Sequence, residues 1–230
     1  MKVILANNMP VSIISALENK GFEVFKTPFN PNVMQGLSYH PDMQIAGIGS
    51  TYVCEPSLYN YYQNIFADSS SSLLCGNSKC SCNYPEDVAY NIKVIGNRVV
   101  HNFRYTDNCL RNLIGDMDLI NVSQGYSGCS ICAVSPNALI TADRIISLRA
   151  KEHVIHTLLV SPGSIELEGF DYGFIGGASF LHEHTVYFFG NVKNHPDYSN
   201  IKKFCLQQNV DICCLSEEPL TDYGSAITFD

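Results

Sequence analysis

Apolar residues in this chain fall into short blocks separated by polar or glycine-containing turns, and the blocks repeat as one supersecondary unit. Each unit reads as a β-hairpin, a helix whose apolar residues lie three and four apart, and a short apolar strand that closes it. The closing strands are the clearest: Glu23–Pro28, Leu73–Gly76, Leu119–Gly125, Thr157–Gly163 and Asp211–Ser216. They recur at a spacing of ~45 residues, a period that marks stacked or radially arranged modules. Modules of this size cannot bury their apolar faces alone and must pack on their neighbours.

Four hairpins are predicted: Asp42–Cys54 turning at Gly47–Ser50, Ala89–His101 at Gly96-Asn97, Ser130–Thr141 at Ser135–Asn137, and Gly177–Phe189 at His182–His184. Helices are predicted over Pro10–Lys20, Pro56–Phe66, Thr106–Ile114, Arg144–Val154, and from Asp197 or Ser199 to Gln208. Pro10 suits a first turn, either Thr106 or Asp107 suits the cap of the third helix, and Asp143 suits that of the fourth. Tyr223–Phe229 is half a hairpin whose partner is Lys2–Ala6 at the other end of the chain. Joining the two closes a ring of five, as propellers do with a shared blade, although the helix in every unit excludes a plain β-propeller. The loop containing Ser69–Ser72 is a connection rather than a linker, so one domain, 1–230, is expected.

Bulk properties narrow the function. Of the 230 residues 46% are hydrophobic and only 16% charged, which favours a well-filled core over disorder. The net charge is −8 with no Lys/Arg cluster, so no nucleic-acid partner is expected. No apolar run approaches the ~18 residues of a membrane span. Met1–Asn8 reads as a strand rather than a signal peptide, and the expectation is a cytoplasmic protein with no membrane partner. In a reducing compartment the ten cysteines are free thiols; Cys54, Cys109, Cys205, Cys213 and Cys214 lie in apolar segments and read as small core residues.

A closed ring of five strand–strand–helix–strand units with shared ends resembles the pentein fold, an α/β propeller about a pseudo-five-fold axis. The resemblance covers essentially the whole chain in pattern. The fold is that of guanidino-modifying enzymes: arginine and agmatine deiminases, dimethylarginine hydrolases and amidinotransferases. Gln124–Ser130, Ile140–Asp143 and the His-Pro-Asp triplets at His40 and His195 are also similar to an uncharacterised bacterial branch assigned to this fold. The resemblance implies a catalytic histidine in a His-x-Asp-Thr-Val-Phe stretch, matched here by His182-Glu183-His184-Thr185-Val186-Tyr187 with His184 in place of the Asp. It also implies a last-unit cysteine, but the matching stretch Asp222–Ile227 has none, and the acidic Glu-Gly-Gly-Asp-like stretch falls near Ser127–Ser130 without a Glu.

Strand starts facing the axis should bring together Asp42, Asp87, Cys129, Gly176-Gly177 and Asp222–Ser225. Carboxylates there would accept the planar donors of a guanidinium in pairs, although the same Asp residues also suit turn caps. Cys129 stands in a polar strand start, where a thiolate could attack an amidino carbon with a histidine as acid/base, or it is a half-buried structural cysteine. The expected catalytic set is therefore Cys129, His182 and Asp222. His40, Asp42, Asp87, His184 and Ser225 are expected to bind a small cationic guanidino or amino ligand, with no cofactor and no metal. Cys129-x-x-Cys132 is a lone pair of thiols, and Cys75, Cys80 and Cys82 fit no common zinc spacing. The competing reading is a catalytically silent binding or interaction protein of the same architecture. Nothing in the sequence sets an oligomeric state.

Overall fold

The computed structural model describes all of residues 1–230. Its elements in chain order are β1 (Lys2–Leu5), α1 (Val11–Glu18), β2 (Glu23–Lys26), β3 (Ile45–Ile48), β4 (Thr51–Cys54), α2 (Tyr59–Phe66), β5 (Ser72–Cys75), β6 (Lys93–Ile95), β7 (Arg98–His101), α3 (Asn108–Leu113) and β8 (Asp118–Asn121). They continue with α4 (Ser127–Ser130), β9 (Ile131–Ser135), β10 (Ala138–Thr141), α5 (Arg144–Glu152), β11 (His156–Leu159), β12 (Ser179–His182), β13 (Thr185–Phe188), α6 (Tyr198–Gln207), β14 (Asp211–Cys214) and β15 (Ile227–Phe229).

These strands form five three-stranded sheets of one pattern. In the second unit β3 pairs antiparallel with β4, and β4 pairs parallel with β5 across the α2 crossover. The other units repeat this. The first unit is assembled from both ends of the chain: β15 runs antiparallel to β1 with Lys2 opposite Phe229, and β1 runs parallel to β2. The expected half-hairpin thus finds its expected partner.

What joins the units is apolar packing at each seam. Ile4, Phe229, Ile45 and Tyr62 share a cluster between the first and second units. Met43, Val53, Val99 and Leu110 fill the next seam, and Ile95, Val100, Leu139 and Ile146 the one after. Val134, Ile140, Val186 and Phe188 join the fourth unit to the fifth. Val3, Leu5, Phe180 and Phe189 join the fifth back to the first, which closes the circle.

Local chemistry sets the element ends. The Asp107 carboxylate accepts from Cys109 N at 2.8 Å and caps α3. Asp143 accepts from Ile145 and Ile146 N and caps α5. Asp197 departs from expectation: it makes no side-chain cap on α6 and accepts instead from Ser161 N at 2.7 Å. Hairpin turns are tight, and Gly96 at φ 60° supplies the left-handed residue that the β6–β7 turn needs. Two expected turns are shorter than the sequence suggested. Gly47 belongs to β3, where its bare Cα makes room for the Tyr52 ring, and His182 belongs to β12.

Candidate active site

The first strand of each sheet is the inner one. Residues of β15, β3, β6, β9 and β12 together wall an axial channel of about 300 Å³. Two residues ahead of these strands stand Ser225, Met43, Asn91, Cys129 and Gly177. The backbone around them is stitched into a closed circle. Asp42 N donates to Gly224 O, Ser225 N to Gly177 O, Gly177 N to Cys129 O and Gly128 N to Asn91 O. The Asn91 carboxamide donates to Asp42 O at 3.3 Å and returns the circle to its start.

Cys129 lies on the single turn α4, not on the strand start expected from the sequence. Its Sγ is 2.9 Å from Asp42 Oδ2 and accepts from Asn91 Nδ2 at 3.2 Å. His40 and Asp42 come from the turn leading into β3, and His40 Nδ1 is 3.8 Å from Asp222 Oδ1. Asp222 is held by Phe174 N and Gly224 N, each at 2.9 Å. Gly177 passes so close that a Cβ there would overlap the Asp222 carboxylate, and one on Gly224 would overlap His40. Side chains from four units are thereby packed against each other, and Cys129, Asp42, His40 and Asp222 are all buried.

Burial governs their protonation. It pushes Asp42 up to about 8, with the neighbouring Asp222 charge adding to it, and Asp222 up to about 6. The Cys129 thiol is raised well above its usual range by burial and by Asp42. Burial drops His40 to about 3, so its ring is neutral. Lys93, which faces the axial channel, is lowered by burial, against which the Cys132, Asp42 and Cys129 charges act. The cluster therefore holds a protonated thiol and carboxyls drawn toward their neutral forms. A cation placed among them reverses the balance, because it favours the ionised form of each.

Two further cavities reach this cluster. One, of about 240 Å³, touches Cys129 and Asp222 and is walled by Tyr126, Phe170 and Phe174. The other, of about 470 Å³, touches His40 and Asp222 and carries Glu166 and Glu168. Glu166 is anchored beside Thr221 by a parallel bridge, which fixes the segment that covers the site. One cavity is thus largely aromatic and the other acidic.

Of the residues expected from the sequence, Cys129, Asp222, Asp42 and His40 meet. Ser225 is adjacent, with its Oγ donating to Ser179 O at 2.8 Å. Asp87 stands one layer back, where its carboxylate accepts from Tyr126 Oη at 2.6 Å. His182 and His184 are corrections. His182 ends β12 at the hairpin tip and packs its ring on Phe22, and His184 is an exposed turn residue. A strand that starts at the axis carries its far end away by ~3.3 Å per residue, so neither imidazole reaches Cys129. The imidazole at the site is that of His40. Asn91 was missed; its signal is its place ahead of β6, matching that of Cys129 ahead of β9. The thiols Cys75, Cys80 and Cys82 do not gather: Cys80 is buried with Sγ toward Met43 O, while Cys75 and Cys82 are exposed. Cys132 points away from Cys129 into the seam of the fourth and fifth units.

Comparison with known proteins agrees with the architecture. A family model described as a family of unknown function (DUF6873) matches residues 4–227. No curated protein matches in sequence. Among solved structures, an amidinotransferase of the saxitoxin biosynthetic pathway from Microseira wollei superposes with a TM-score of 0.57 at 10% identity, covering 100% of this chain and 94% of that one. C. jejuni agmatine deiminase with substrate bound gives 0.57 at 10% identity, covering 100% and 93%. DDAH from Pseudomonas aeruginosa complexed with citrulline gives 0.53 at 8% identity, covering 94% and 92%. The fold is the pentein fold. No helix is long and apolar enough to cross a membrane.

Proposed function

For this chain, which belongs to the DUF6873 family, we propose a hydrolase or amidinotransferase that acts on a guanidino or amidino compound with Cys129 as its nucleophile. The observation that carries the reading is the convergence of Cys129, Asp42, His40 and Asp222 where an aromatic-walled cavity and a second cavity carrying Glu166 and Glu168 both reach Asp222. Paired carboxylates suit a planar cation with several N–H donors. The structural neighbours include enzymes of guanidino chemistry, which supports the same substrate class.

In this reading the arriving cation ionises Asp42 and Asp222, which hold it. Cys129 passes its proton to the Asp42 carboxylate, and the sulfur attacks the amidino carbon, forming a C–S bond. A C–N bond then breaks as the leaving amine takes a proton from Asp42. The amidino group, now on sulfur, is taken by water or by an acceptor amine. His40, neutral and with an unpartnered Nδ1, accepts the proton of that second nucleophile as its bond to the amidino carbon forms; the C–S bond then breaks, and His40 returns the proton to the departing sulfur, restoring the thiol. His40 thus takes the role that the sequence assigned to His182.

The competing reading, a silent binding protein, draws on Ser225 standing in the stretch where the resemblance expects a cysteine, and on the high resting pKa of Cys129. Assaying a panel of guanidino compounds for ammonia, urea or amidino transfer separates the two. With a working substrate, Cys129→Ala lowers kcat by roughly 10³ or more. Unchanged turnover in that variant removes the assignment, and binding without turnover across the panel favours the silent protein.

A further inference from the structure

We propose that His40, Asp42 and Cys129 also form a zinc-binding site, and that a bound zinc ion ties up the thiol. One imidazole nitrogen, one carboxylate oxygen and the thiol sulfur lie within 4.8 Å of one another, on two different units of the ring. All three residues are buried, at 2% exposure for His40, 5% for Asp42 and 3% for Cys129. Two of the polar atoms in this space, His40 Nδ1 and Asp42 Oδ1, have no hydrogen-bond partner. Buried polar atoms without partners are rare, and such an atom calls for an explanation such as an ion. Here the lone pairs come in a set of nitrogen, oxygen and sulfur.

The donor set selects the metal class. A thiolate disfavours calcium and magnesium, which take oxygen ligands, whereas a Cys/His/carboxylate set suits zinc. Tetrahedral zinc ligands stand ~3.5 Å apart, so closure needs side-chain movements of only about 1 Å. Three protein ligands leave a fourth position for water on the side of the Cys129 cavity. The outer partners are in place as well. Asn91 Nδ2 hydrogen-bonds the sulfur at 3.2 Å, and its Oδ1 accepts from Cys129 N. Such groups orient first ligands and set their basicity. A coordinated thiol is deprotonated outright, its proton leaving to solvent, and two anionic ligands then face a dication instead of each other.

The ion-binding site stands independently of the enzyme reading. Only its consequence, inhibition of thiol chemistry, rests on that reading. Cobalt(II) is the probe, because a Co–thiolate bond gives a charge-transfer band in the near ultraviolet. Anaerobic titration of the full chain is expected to give a band saturating at one equivalent, retained in a Cys75→Ser/Cys82→Ser variant and lost in Cys129→Ser. His40→Gln is expected to weaken binding roughly 10-fold or more. In the wild-type protein, one equivalent of zinc is expected to protect Cys129 from iodoacetamide in mildly alkaline buffer while leaving Cys75 and Cys82 open, as read by peptide mass mapping. That measurement decides the matter if Cys129→Ser fails to fold. The proposal is overturned by a band that survives Cys129→Ser, by no band at all, or by alkylation of Cys129 that zinc does not slow. None of these readouts uses turnover, so loss of the zinc site leaves the nucleophile assignment standing, and activity in Cys129→Ala leaves the zinc site standing.

Discussion

Asn91 and Cys129 hold the same place in neighbouring units, and one fixes the other. The Asn91 Oδ1 accepts from Gly128 N at 2.7 Å and Cys129 N at 3.2 Å, while its Nδ2 donates to the Cys129 sulfur. The α4 turn is too short to satisfy its own first amides, so a side chain from the next unit does it. Asn91→Ala leaves Cys129 N without its acceptor in a dry interior and weakens that of Gly128. It should cost about 2–3 kcal/mol, read as a lower urea midpoint at unchanged slope. A cost below about 0.5 kcal/mol would show the clamp to be dispensable.

Gly177→Ala is the sharpest steric test. The added methyl lands on the Asp222 carboxylate, which Phe174 N and Gly224 N hold in place. Overpacking of this kind costs about 1–3 kcal/mol, and Asp222 must leave its partners. A lower melting temperature is expected and, under the proposed function, a lower affinity for a guanidino ligand. An alanine variant that melts and binds as wild type would contradict the described packing.

His101 gives the chain an acid limit away from the site. Its ring is buried, Nδ1 lies 2.6 Å from Thr106 Oγ1, and Nε2 lies 3.1 Å from Gly125 O. Burial lowers its pKa from 6.5 to about 4. The unfolded chain therefore binds this proton first. Its contribution to stability is fully present above pH 6.5 and is lost as pH falls toward 4, by roughly 3 kcal/mol in all. Thermal melts across that window should fall more steeply for the wild-type protein than for His101→Gln; parallel curves would refute the assignment.

Phe229 tests how the chain ends are joined. It is buried on β15 and stacks on Phe66 with ring centroids 4.5 Å apart. Phe229→Ala should cost about 3–5 kcal/mol, a large share of the ~5–15 kcal/mol that a domain possesses. Loss of less than about 1 kcal/mol in chemical denaturation would mean that the seam does not need the terminal strand.

Much of the frame was legible because each unit repeats its hydrophobic period, and a repeated signal is read five times. The closing strands and helices fall where the apolar pattern put them, and the split first unit followed from an unpaired half-hairpin at Tyr223–Phe229. Asp42, Cys129 and Asp222 were readable as groups ahead of strands on a common axis and His40 as a residue preceding a hairpin strand, although Cys129 stands on a helical turn. The wrong histidines came from aligning a motif without its register: His182 shares letters with the family stretch but sits at the tip of β12, away from the axis. Asn91 carries no reactive group, and its role depends on a contact across a seam that no local pattern encodes. The single turn at Ser127–Ser130 was hidden because four residues hold too little periodicity to distinguish helix from loop.

The hydrogen-bonded loop that runs from Asp42 through Gly224, Gly177 and Cys129 to Asn91 draws one member from each of the five units and closes through the Asn91 carboxamide. On the proposed reading the reacting sulfur, Cys129, belongs to the fourth unit, while the first unit presents the hydroxyl of Ser225 at the equivalent place. A ring of like units thus offers more than one address at its hub for a side chain that reacts.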